Sequence, residues 1–257
     1  MDKRLEHIKA IFLDLDGTIY LGNNLIPGAL DFLSRAKEKG IKRFFLSNNS
    51  SRSVDEYVKK LHAMGIPCEH DDVLLSTHDL LSWLTSKGVR RTWAIATKGM
   101  CQMMESIGIT TADQNPEYVV LGYDTEINYE KISTGSIHLH NGIPLVASHP
   151  DMVCPSPHGG LPDVGAYLSM LKVTTGVDPV HICGKPNPGM ILHKIEELGL
   201  SPSECAMVGD RLYTDMEMAI RASCVSVLVL SGEATMDDLN SSGKTVDVVV
   251  ASVDELM

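Results

Sequence analysis

The stretch Ile11–Ile19, IFLDLDGTI, runs from apolar residues directly into two carboxylates, Asp14 and Asp16. A carboxylate at the end of a buried apolar run is costly unless a cation or hydrogen-bond donors pair with it. Gly17 comes after the second acid and lets the backbone approach closely beside it. The stretch therefore indicates a buried strand that leads into a site, and residues at the ends of similar runs elsewhere in the chain are candidates to complete that site.

Short apolar runs alternate with amphipathic helical patterns along the whole chain. The runs are AIFLDLD (10–16), RFFLSNN (43–49), WAIATKG (93–99), YVVLGYD (118–124), PLVASHP (144–150), VHICGKP (180–186), CAMVGDR (205–211), VSVLVLSG (225–232) and VDVVVAS (246–252). Runs that are apolar on both alternating faces are typical of parallel strands covered by helices. The predicted fold class is α/β, with a parallel sheet.

The runs fall into two groups along the chain, which predicts two domains. The runs near residues 10, 43, 180, 205, 225 and 246 are expected to form one sheet. The runs near residues 93, 118 and 144 form a second group between them. We therefore predict a catalytic core from residues 1–76 and 181–257, and an inserted α/β domain from residues 77–180.

Polar residues come after four runs of the first group. They are Asp14 with Asp16, Ser47 with Asn48 and Asn49, Lys185, and Asp210 with Asp215. Ligands of open parallel α/β sheets bind beyond the carboxyl ends of the strands, so we expect these residues to share one crevice. Crowded carboxylates repel one another unless a hard cation joins them, and oxygen ligands of this kind suit Mg²⁺, which also takes substrate phosphates.

A phosphate ester would use each of these groups. Asp14 and Asp210 would supply oxygens to Mg²⁺, while Lys185 and Ser47 would hold the remaining phosphate oxygens. Asp14 is the candidate nucleophile, because aspartate forms acyl phosphates in phosphoryl transfer. Asp16, two residues later, is the candidate general acid/base that protonates the leaving alkoxide and then deprotonates water.

Four motifs occur in an order and spacing that resemble the haloacid dehalogenase (HAD) superfamily. They are DLDGT at 14–18, SNN at 47–49, GKP at 184–186 and GDRLYTD at 209–215. Together with IPGA at 26–29, they are similar to the NagD-like subclass of sugar-phosphate and 4-nitrophenyl phosphatases. The resemblance covers nearly the whole chain and implies a Rossmann-like core with an α/β cap inserted between the second and third motifs.

The resemblance also implies a role for each residue that matches a motif. It implies Asp14 as the nucleophile and Asp16 as the acid/base. It implies that Asp14, the carbonyl oxygen of Asp16 and Asp210 bind Mg²⁺, with Asp215 as a supporting acid. The implied phosphate contacts are Ser47, Asn48 and Lys185.

In this subclass the cap covers the active site and selects the leaving group, and a loop after a cap strand carries the contacts. Here that segment is residues 147–160, and Asp151 falls at the recurring aspartate of the family's loop. His149 follows a cap strand and stands where an asparagine is common, which bears on substrate preference. Both residues are predicted to bind substrate. A second departure is the pair Ser223-Cys224, which stands where Ala-Gly is usual, and a residue other than glycine there loses the easy left-handed helix cap.

Composition limits the partners and the location. The formal net charge of −11 argues against a nucleic-acid or acidic-membrane surface, which needs clustered Lys and Arg. Six isolated cysteines without a C-x-x-C pair suit a reducing cytoplasm, and neither a signal peptide nor a membrane-spanning run is visible. The expected partner is a small phosphorylated metabolite, and similar proteins suggest a homodimer through the cap.

Two other functions would use a similar set of acids. One is phosphotransfer to an acceptor alcohol instead of water, which the sequence does not separate from hydrolysis. The other is a phospho-aspartate regulatory or phosphate-sensing module. Asp16 argues against the second, because an acid/base two residues from the nucleophile would speed the dephosphorylation that a signal carrier avoids.

Overall fold

The computed structural model describes residues 3–154 and 158–256, so residues 155–157 of the predicted cap loop lie outside it. The strands are β1 (Ala10–Asp14), β2 (Tyr20–Leu21), β3 (Asn24–Leu25), β4 (Lys42–Ser47), β5 (Val73–Leu75), β6 (Thr92–Ile95), β7 (Tyr118–Leu121), β8 (Leu145–Ala147), β9 (Val153–Cys154), β10 (Leu161–Pro162), β11 (His181–Ile182), β12 (Cys205–Gly209), β13 (Val225–Val229) and β14 (Val248–Val250). The α-helices are α1 (Ala29–Glu38), α2 (Val54–Ala63), α3 (Ser76–Ser86), α4 (Lys98–Ser106), α5 (Tyr129–His140), α6 (Val164–Thr175), α7 (Gly189–Glu197), α8 (Glu217–Ala222) and α9 (Met236–Ser242).

The described chain divides into two compact units. The first unit comprises the described parts of Met1–Ser47, Val54–Leu74 and Lys185–Met257. The second unit comprises Asn48–Ser53 and the described parts of Leu75–Gly184. The segment Asn48–Ser53 was predicted to belong to the core, but it groups with the second unit.

The first unit is built on a six-stranded sheet in the order β14-β13-β12-β1-β4-β5. The strand β1 lies between β12 and β4 and is parallel to both, so Ala10 pairs with Cys205 on one side and with Lys42 on the other. All five residues of β1 are buried, as expected for a strand covered on both faces. This register places the ends of β1 and β12, with Asp14 and Asp210, at the same edge of the sheet.

The second unit contains a four-stranded sheet in the order β11-β8-β7-β6, in which all neighbouring strands are parallel. Alternate residues of β7 enter two different cores. Val120 packs with residues of α3 and α4, whereas Val119 and Leu121 pack with residues of α5 and α6. Helices therefore cover both faces of this sheet as well, and the predicted α/β class is confirmed.

The run VHICGKP at 180–186 was predicted to join the sheet of the first unit, and this prediction is wrong. His181 and Ile182 pair with Val146 and Ala147 in the sheet of the second unit. Cys183 is buried in the core of that unit, and Gly184, with φ of 69°, turns the chain before Lys185. In the first sheet the outer position beside β4 is taken by β5, a three-residue strand too short to stand out in the sequence.

Disulfides and membrane-spanning helices are absent from the described residues. All six cysteines lie within the described ranges, and none of them forms a disulfide. Between residues 3 and 256, apart from 155–157, none of the helices combines the length and the apolar character needed to cross a membrane.

The helix α8 ends at Ser223, which adopts a left-handed conformation with φ of 59° and ψ of 30°. Replacing Ser223 with glycine should raise the free energy of unfolding by about 0.5–1 kcal/mol, because glycine adopts this conformation without a Cβ clash. Ser133→Gly, inside α5, should change the free energy in the opposite direction by a similar amount, since glycine weakens a helix interior. Urea denaturation of both variants checks this, and a lowered midpoint for Ser223→Gly would contradict it.

Candidate active site

Four charged side chains of the first unit meet at the ends of β1 and β12. Asp14, Asp210, Asp215 and Lys185 are all buried, and Asp215 is completely inaccessible. The Nζ atom of Lys185 pairs with Oδ1 of Asp14 and lies 2.8 Å from Oδ1 of Asp215. One buried cation thus faces two of three buried carboxylates, and the site has a surplus of negative charge.

The backbone around these groups explains how they come together. Asp14 is the last residue of β1, and Asp210 comes directly after β12. Asp215 lies in a short π-helical turn, Leu212–Met216, and its Oδ2 accepts a hydrogen bond of 3.1 Å from the backbone amide of Arg211. A Cβ on Gly209 would lie 2.4 Å from Cβ of Asp215, so only glycine leaves room for this acid.

The carboxylate of Asp210 is held through one of its two oxygens. The backbone amide of Glu233 donates a hydrogen bond of 2.7 Å to Oδ2 of Asp210. Oδ1 of Asp210 is buried, and among the described residues it has no hydrogen-bond partner. Burying a carboxylate oxygen without a partner costs folding free energy, so the unpaired oxygen indicates that this carboxylate binds a ligand.

The three carboxylates could hold a metal ion. Asp14, Asp210 and Asp215 each offer an oxygen within 4.8 Å of the others. Oxygen donors of this kind suit hard divalent cations. The unpaired Oδ1 of Asp210 and the surplus of negative charge both fit such an ion.

Burial and mutual repulsion perturb the acids of this site. Burial, helped by the charge of Asp14, raises the pKa of Asp210 to about 6. Burial also raises the pKa of Asp215, against the opposing charge of Lys185. Burial disfavours the charged form of Lys185, but Asp14 and Asp215 outweigh it and raise the pKa of the ammonium group. Perturbed groups that cluster in this way are typical of functional sites.

Metal affinity should therefore depend on pH. Because a carboxylate must lose its proton to bind a cation, affinity for a divalent cation, tested here with Mg²⁺, should fall by up to about tenfold per pH unit below the pKa of about 6 of Asp210. A carboxyl whose pKa is raised on folding stabilises the fold at low pH, and this contribution is lost as the pH rises through about 6. The deprotonated carboxylate is the form that binds a cation. Added Mg²⁺ should therefore raise Tm more at pH 7.5 than at pH 5.

Calorimetric titration and thermal denaturation across this pH range measure both effects. The variant Asp210→Asn should lose them, since an amide neither titrates nor supplies a charged ligand. Equal Mg²⁺ affinity of the native protein at pH 5 and pH 7.5 would contradict the prediction.

Asp16 lies beyond the end of β1 and is exposed, unlike the other acids of the site. A tight turn fixes its backbone, because the amide of Gly17 donates a 2.7 Å hydrogen bond to the carbonyl of Tyr20. Partial burial and the charge of Asp14 raise the pKa of Asp16, while Lys60 and Arg211 oppose them. A carboxyl of raised pKa that can exchange protons with its surroundings is suited to acid–base chemistry.

Lys60 is a residue of this region that sequence reasoning missed. It was not among the predicted site residues, but its ammonium lies 4.0 Å from the centroid of the Tyr20 ring. Its charge acts on Asp16. The signal in the sequence that could have placed Lys60 near Asp16 is its position in a helix after the second motif, and this signal is weak.

Ser47 and Asn48, the predicted phosphate contacts, have different surroundings. Oγ of Ser47 lies 2.7 Å from the hydroxyl of Tyr57 in the first unit. Asn48 groups with the second unit, where its Nδ2 donates hydrogen bonds of 3.2 Å to both carboxylate oxygens of Asp151. Asn48 and Asp151, predicted separately for phosphate and for substrate, are thus direct neighbours.

His149, the other predicted substrate contact, is buried in the second unit. Its side chain is 0% exposed, and both ring nitrogens have partners within the second unit. Nε2 lies 2.9 Å from Oδ1 of Asp163, and Nδ1 lies 3.0 Å from Oγ of Ser148. Ser148 in turn contacts Ser50. Through its contact with Asp163, His149 connects the residues after β8 to the start of α6. These contacts give His149 a structural role, and its contact with substrate stays a prediction.

Comparisons with known proteins agree with the geometry of the first unit. Two family models match the chain, a haloacid dehalogenase-like hydrolase model over residues 11–110 and a HAD-hydrolase-like model over residues 182–256. An acid sugar phosphatase of Staphylococcus aureus is 31% identical over 92% of each chain.

Solved structures of similar proteins also indicate the haloacid dehalogenase-like family. A 4-nitrophenylphosphatase from Thermotoga maritima superposes with a TM-score of 0.94 and is 38% identical, covering 98% of this chain and 97% of its own. NagD from Escherichia coli K-12 has a TM-score of 0.89 over 96% of this chain and 98% of its own, at 24% identity, and so shares the fold. The chain therefore belongs to the haloacid dehalogenase-like hydrolases and is a NagD-like enzyme of that family.

Proposed function

We propose that this enzyme is a Mg²⁺-dependent phosphatase that hydrolyses the phosphomonoester of a small metabolite, such as a sugar phosphate, through an aspartyl phosphate on Asp14. The observation that carries the proposal is the pairing of buried Asp14 with Lys185 beside Asp210, whose Oδ1 has no partner among the described residues. The names of its relatives, acid sugar phosphatase and 4-nitrophenylphosphatase, support the substrate class.

The first half-reaction forms a bond between an oxygen of Asp14 and phosphorus, and breaks the bond between phosphorus and the leaving oxygen. Asp16 gives its proton to the leaving alkoxide. In the second half-reaction Asp16 takes a proton from water, the water oxygen attacks phosphorus, and the carboxylate of Asp14 is released. Together the two half-reactions return both residues to their starting states.

Lys185 and the metal ligands would reduce the repulsion between an anionic nucleophile and an anionic ester. The ammonium of Lys185 stays charged at neutral pH, because two carboxylates raise its pKa. Asp14, Asp210 and the carbonyl oxygen of Asp16 would hold Mg²⁺, which would supply positive charge to the phosphoryl oxygens. Asp215 would orient Lys185 through their 2.8 Å contact.

The experiment that tests the proposal is a panel of phosphomonoesters assayed with Mg²⁺, with EDTA and with a competing alcohol. We expect release of inorganic phosphate with Mg²⁺ only, and no transfer of phosphate to the alcohol. A lack of turnover of every ester in the presence of Mg²⁺ would refute the proposal. Transfer to the alcohol as the main reaction would identify a phosphotransferase, and a phosphoenzyme that lasts for minutes would identify a regulatory module.

The role of Asp16 has a separate test. Asp16→Asn should lower kcat by about 10²–10⁴-fold for an alkyl phosphate, because the alkoxide then leaves without a proton. The rate of phosphoenzyme formation from 4-nitrophenyl phosphate should fall less, since nitrophenolate is a good leaving group. Single-turnover measurements with both substrates separate the steps. Equal losses of phosphoenzyme formation for both leaving groups would contradict the assignment.

We further propose that residues 77–180 act as a cap that selects the leaving group, with Asp151 among the selecting residues. Its support is the contact between Asp151 and Asn48, which comes after Ser47 in the second motif. Asp151→Ala should change the relative kcat/KM values across a panel of sugar phosphates. An unchanged ranking would exclude Asp151 from substrate selection.

A homodimer through the cap and a cytoplasmic location complete the proposal. The resemblance to NagD-like proteins suggests the dimer, and the candidate interface residues of the second unit are Tyr129 and Val173, which are 84% and 89% exposed. Six cysteines without a disulfide among them suit a reducing compartment. Light scattering measures the oligomeric state, and a mass of 28.0 kDa at all concentrations would exclude the dimer.

A further inference from the structure

The segment Ser231–Glu233, which comes after β13, lies against the metal-ligand candidate Asp210. The amide of Glu233 donates to Oδ2 of Asp210 over 2.7 Å, and the amide of the next residue, Ala234, donates to its carbonyl oxygen over 3.1 Å. Both the side chain and the backbone of Asp210 are therefore held by consecutive amides. This leaves Oδ1 as the oxygen of Asp210 without a partner among the described residues.

Two glycines form a slot for the same carboxylate. A Cβ added to Gly232 would lie 2.0 Å from Oδ2 of Asp210, and a Cβ added to Gly17 would lie 2.3 Å from it. Real Cβ atoms do not come so close to another atom, so either side chain would displace the carboxylate or the segment that carries the new atom. The carboxylate fits only because both neighbours lack a side chain.

The segment is also tied to the loop after the candidate nucleophile. Oγ of Ser231 donates a hydrogen bond of 2.7 Å to the carbonyl oxygen of Gly17. Gly17 comes directly after Asp16, whose carbonyl oxygen is a proposed metal ligand. The segment therefore joins two parts of the proposed metal site, one on each of two neighbouring strands, β1 and β12.

We propose that Ser231–Glu233 is a positioning segment that fixes the orientation of Asp210, so that Oδ1 is presented to the metal and Oδ2 is not. This inference rests on the proposed Mg²⁺-dependent function and concerns residues of this chain, not the reaction itself. An amide that binds Oδ2 and two glycines that confine the carboxylate remove the alternative rotamers, which lowers the entropic cost of ligation. The segment acts on metal affinity through Asp210, without contacting substrate.

The test uses Gly232→Ala in the full chain. Gly232 does not have a positive φ, so alanine brings steric conflict with Asp210 and no backbone strain of the left-handed kind. Calorimetric titration should give a Mg²⁺ dissociation constant at least about tenfold higher than that of the native protein. The KM for 4-nitrophenyl phosphate, measured at saturating Mg²⁺, should change less than about twofold, because the segment does not touch substrate. A structural defect would alter both constants together.

Two more variants complete the design. Ser231→Ala removes the bond to Gly17 without adding bulk, and it should raise the Mg²⁺ dissociation constant by at least about threefold. It keeps the proposal testable if Gly232→Ala fails to fold. The matched control is Gly99→Ala in α4, where an added Cβ meets only Oγ1 of Thr97, at 4.0 Å. This control should leave the dissociation constant unchanged.

The outcomes separate this inference from the proposed function. Native protein that binds Mg²⁺, with folded Gly232→Ala and Ser231→Ala that bind it equally well, would overturn the positioning role alone. Native protein without saturable Mg²⁺ binding would overturn the metal-dependent function, and this inference with it. A weaker Mg²⁺ affinity in both variants but not in Gly99→Ala would support the proposal.

Discussion

Asp14→Asn is expected to lower kcat by about 10⁴-fold or more, because an amide oxygen does not form the acyl phosphate that we propose for the carboxylate. The fold should survive, since asparagine has the same shape and removes one of three crowded negative charges. Lys185 keeps Asp215 as a partner at 2.8 Å. Phosphate release from 4-nitrophenyl phosphate, together with circular dichroism and Tm, measures the expected combination of lost activity and retained structure.

The matched control is Asp71→Asn, which makes the same chemical change at an exposed acid of the first unit. It should retain full activity. Mass spectrometry of the acid-quenched native enzyme should show an added phosphoryl group on Asp14, and Asp14→Asn should show none. Turnover within about tenfold of the native rate in well-folded Asp14→Asn would refute the nucleophile assignment.

Lys185→Met is expected to lower both activity and stability. Methionine has a similar length but no charge, so Asp14, Asp210 and Asp215 would be left as buried acids without their cation. Removing one partner of a buried ion pair typically costs about 3–5 kcal/mol of folding free energy. Loss of the charge that is proposed to face phosphate should lower kcat/KM by about 10³-fold.

The pH dependence identifies the cause of the instability. Burial already raises the pKa of Asp215 to about 7, and removal of Lys185 would raise it further. The protonated acid is tolerated in the interior, so the stability loss of Lys185→Met should be larger at pH 8 than at pH 5. Urea denaturation at both pH values measures it. A loss that is independent of pH would contradict the electrostatic explanation.

Two further variants serve as controls for Lys185. The double variant Lys185→Met/Asp215→Asn removes one of the stranded acids and should recover part of the stability but none of the activity. Lys172→Met breaks an exposed pair with Asp178 and should change the free energy of unfolding by at most about 1 kcal/mol. Recovered activity in the double variant would exclude a direct role for Lys185 in phosphate binding.

Much of the fold and the centre of the site could be predicted because they depend on local patterns. Apolar runs and helical periodicity predict the α/β class, because the burial pattern of each strand or helix is visible within a short window of the sequence. Asp14 and Asp210 lie at the ends of two such runs, and parallel strands place their ends at one edge of a sheet. The structure brings both together with Lys185 and Asp215.

The features that the sequence did not predict concern partners that a local pattern does not encode. The run at 180–186 is apolar enough for either sheet, and pairing of Ile182 with Ala147 decided its place. His149 lies after a strand as a ligand-binding residue would, but Asp163, fourteen residues later, takes its Nε2. The serine and glycine at 231–232 resemble an ordinary turn in the sequence. They follow β13, the neighbour of β12, and this position brings them beside Asp210.

The sequence by itself determined the α/β class, the acids and lysine at the strand ends, and the family. Tertiary structure decided which sheet receives β11, which oxygen of Asp210 the amide of Glu233 binds, and whether His149 faces a ligand or the interior. The physical reason is the range of the interactions. Hydrophobic periodicity and motif chemistry act along the chain, whereas a hydrogen bond such as that from Glu233 to Asp210, 23 residues apart, exists only after packing has brought both groups together.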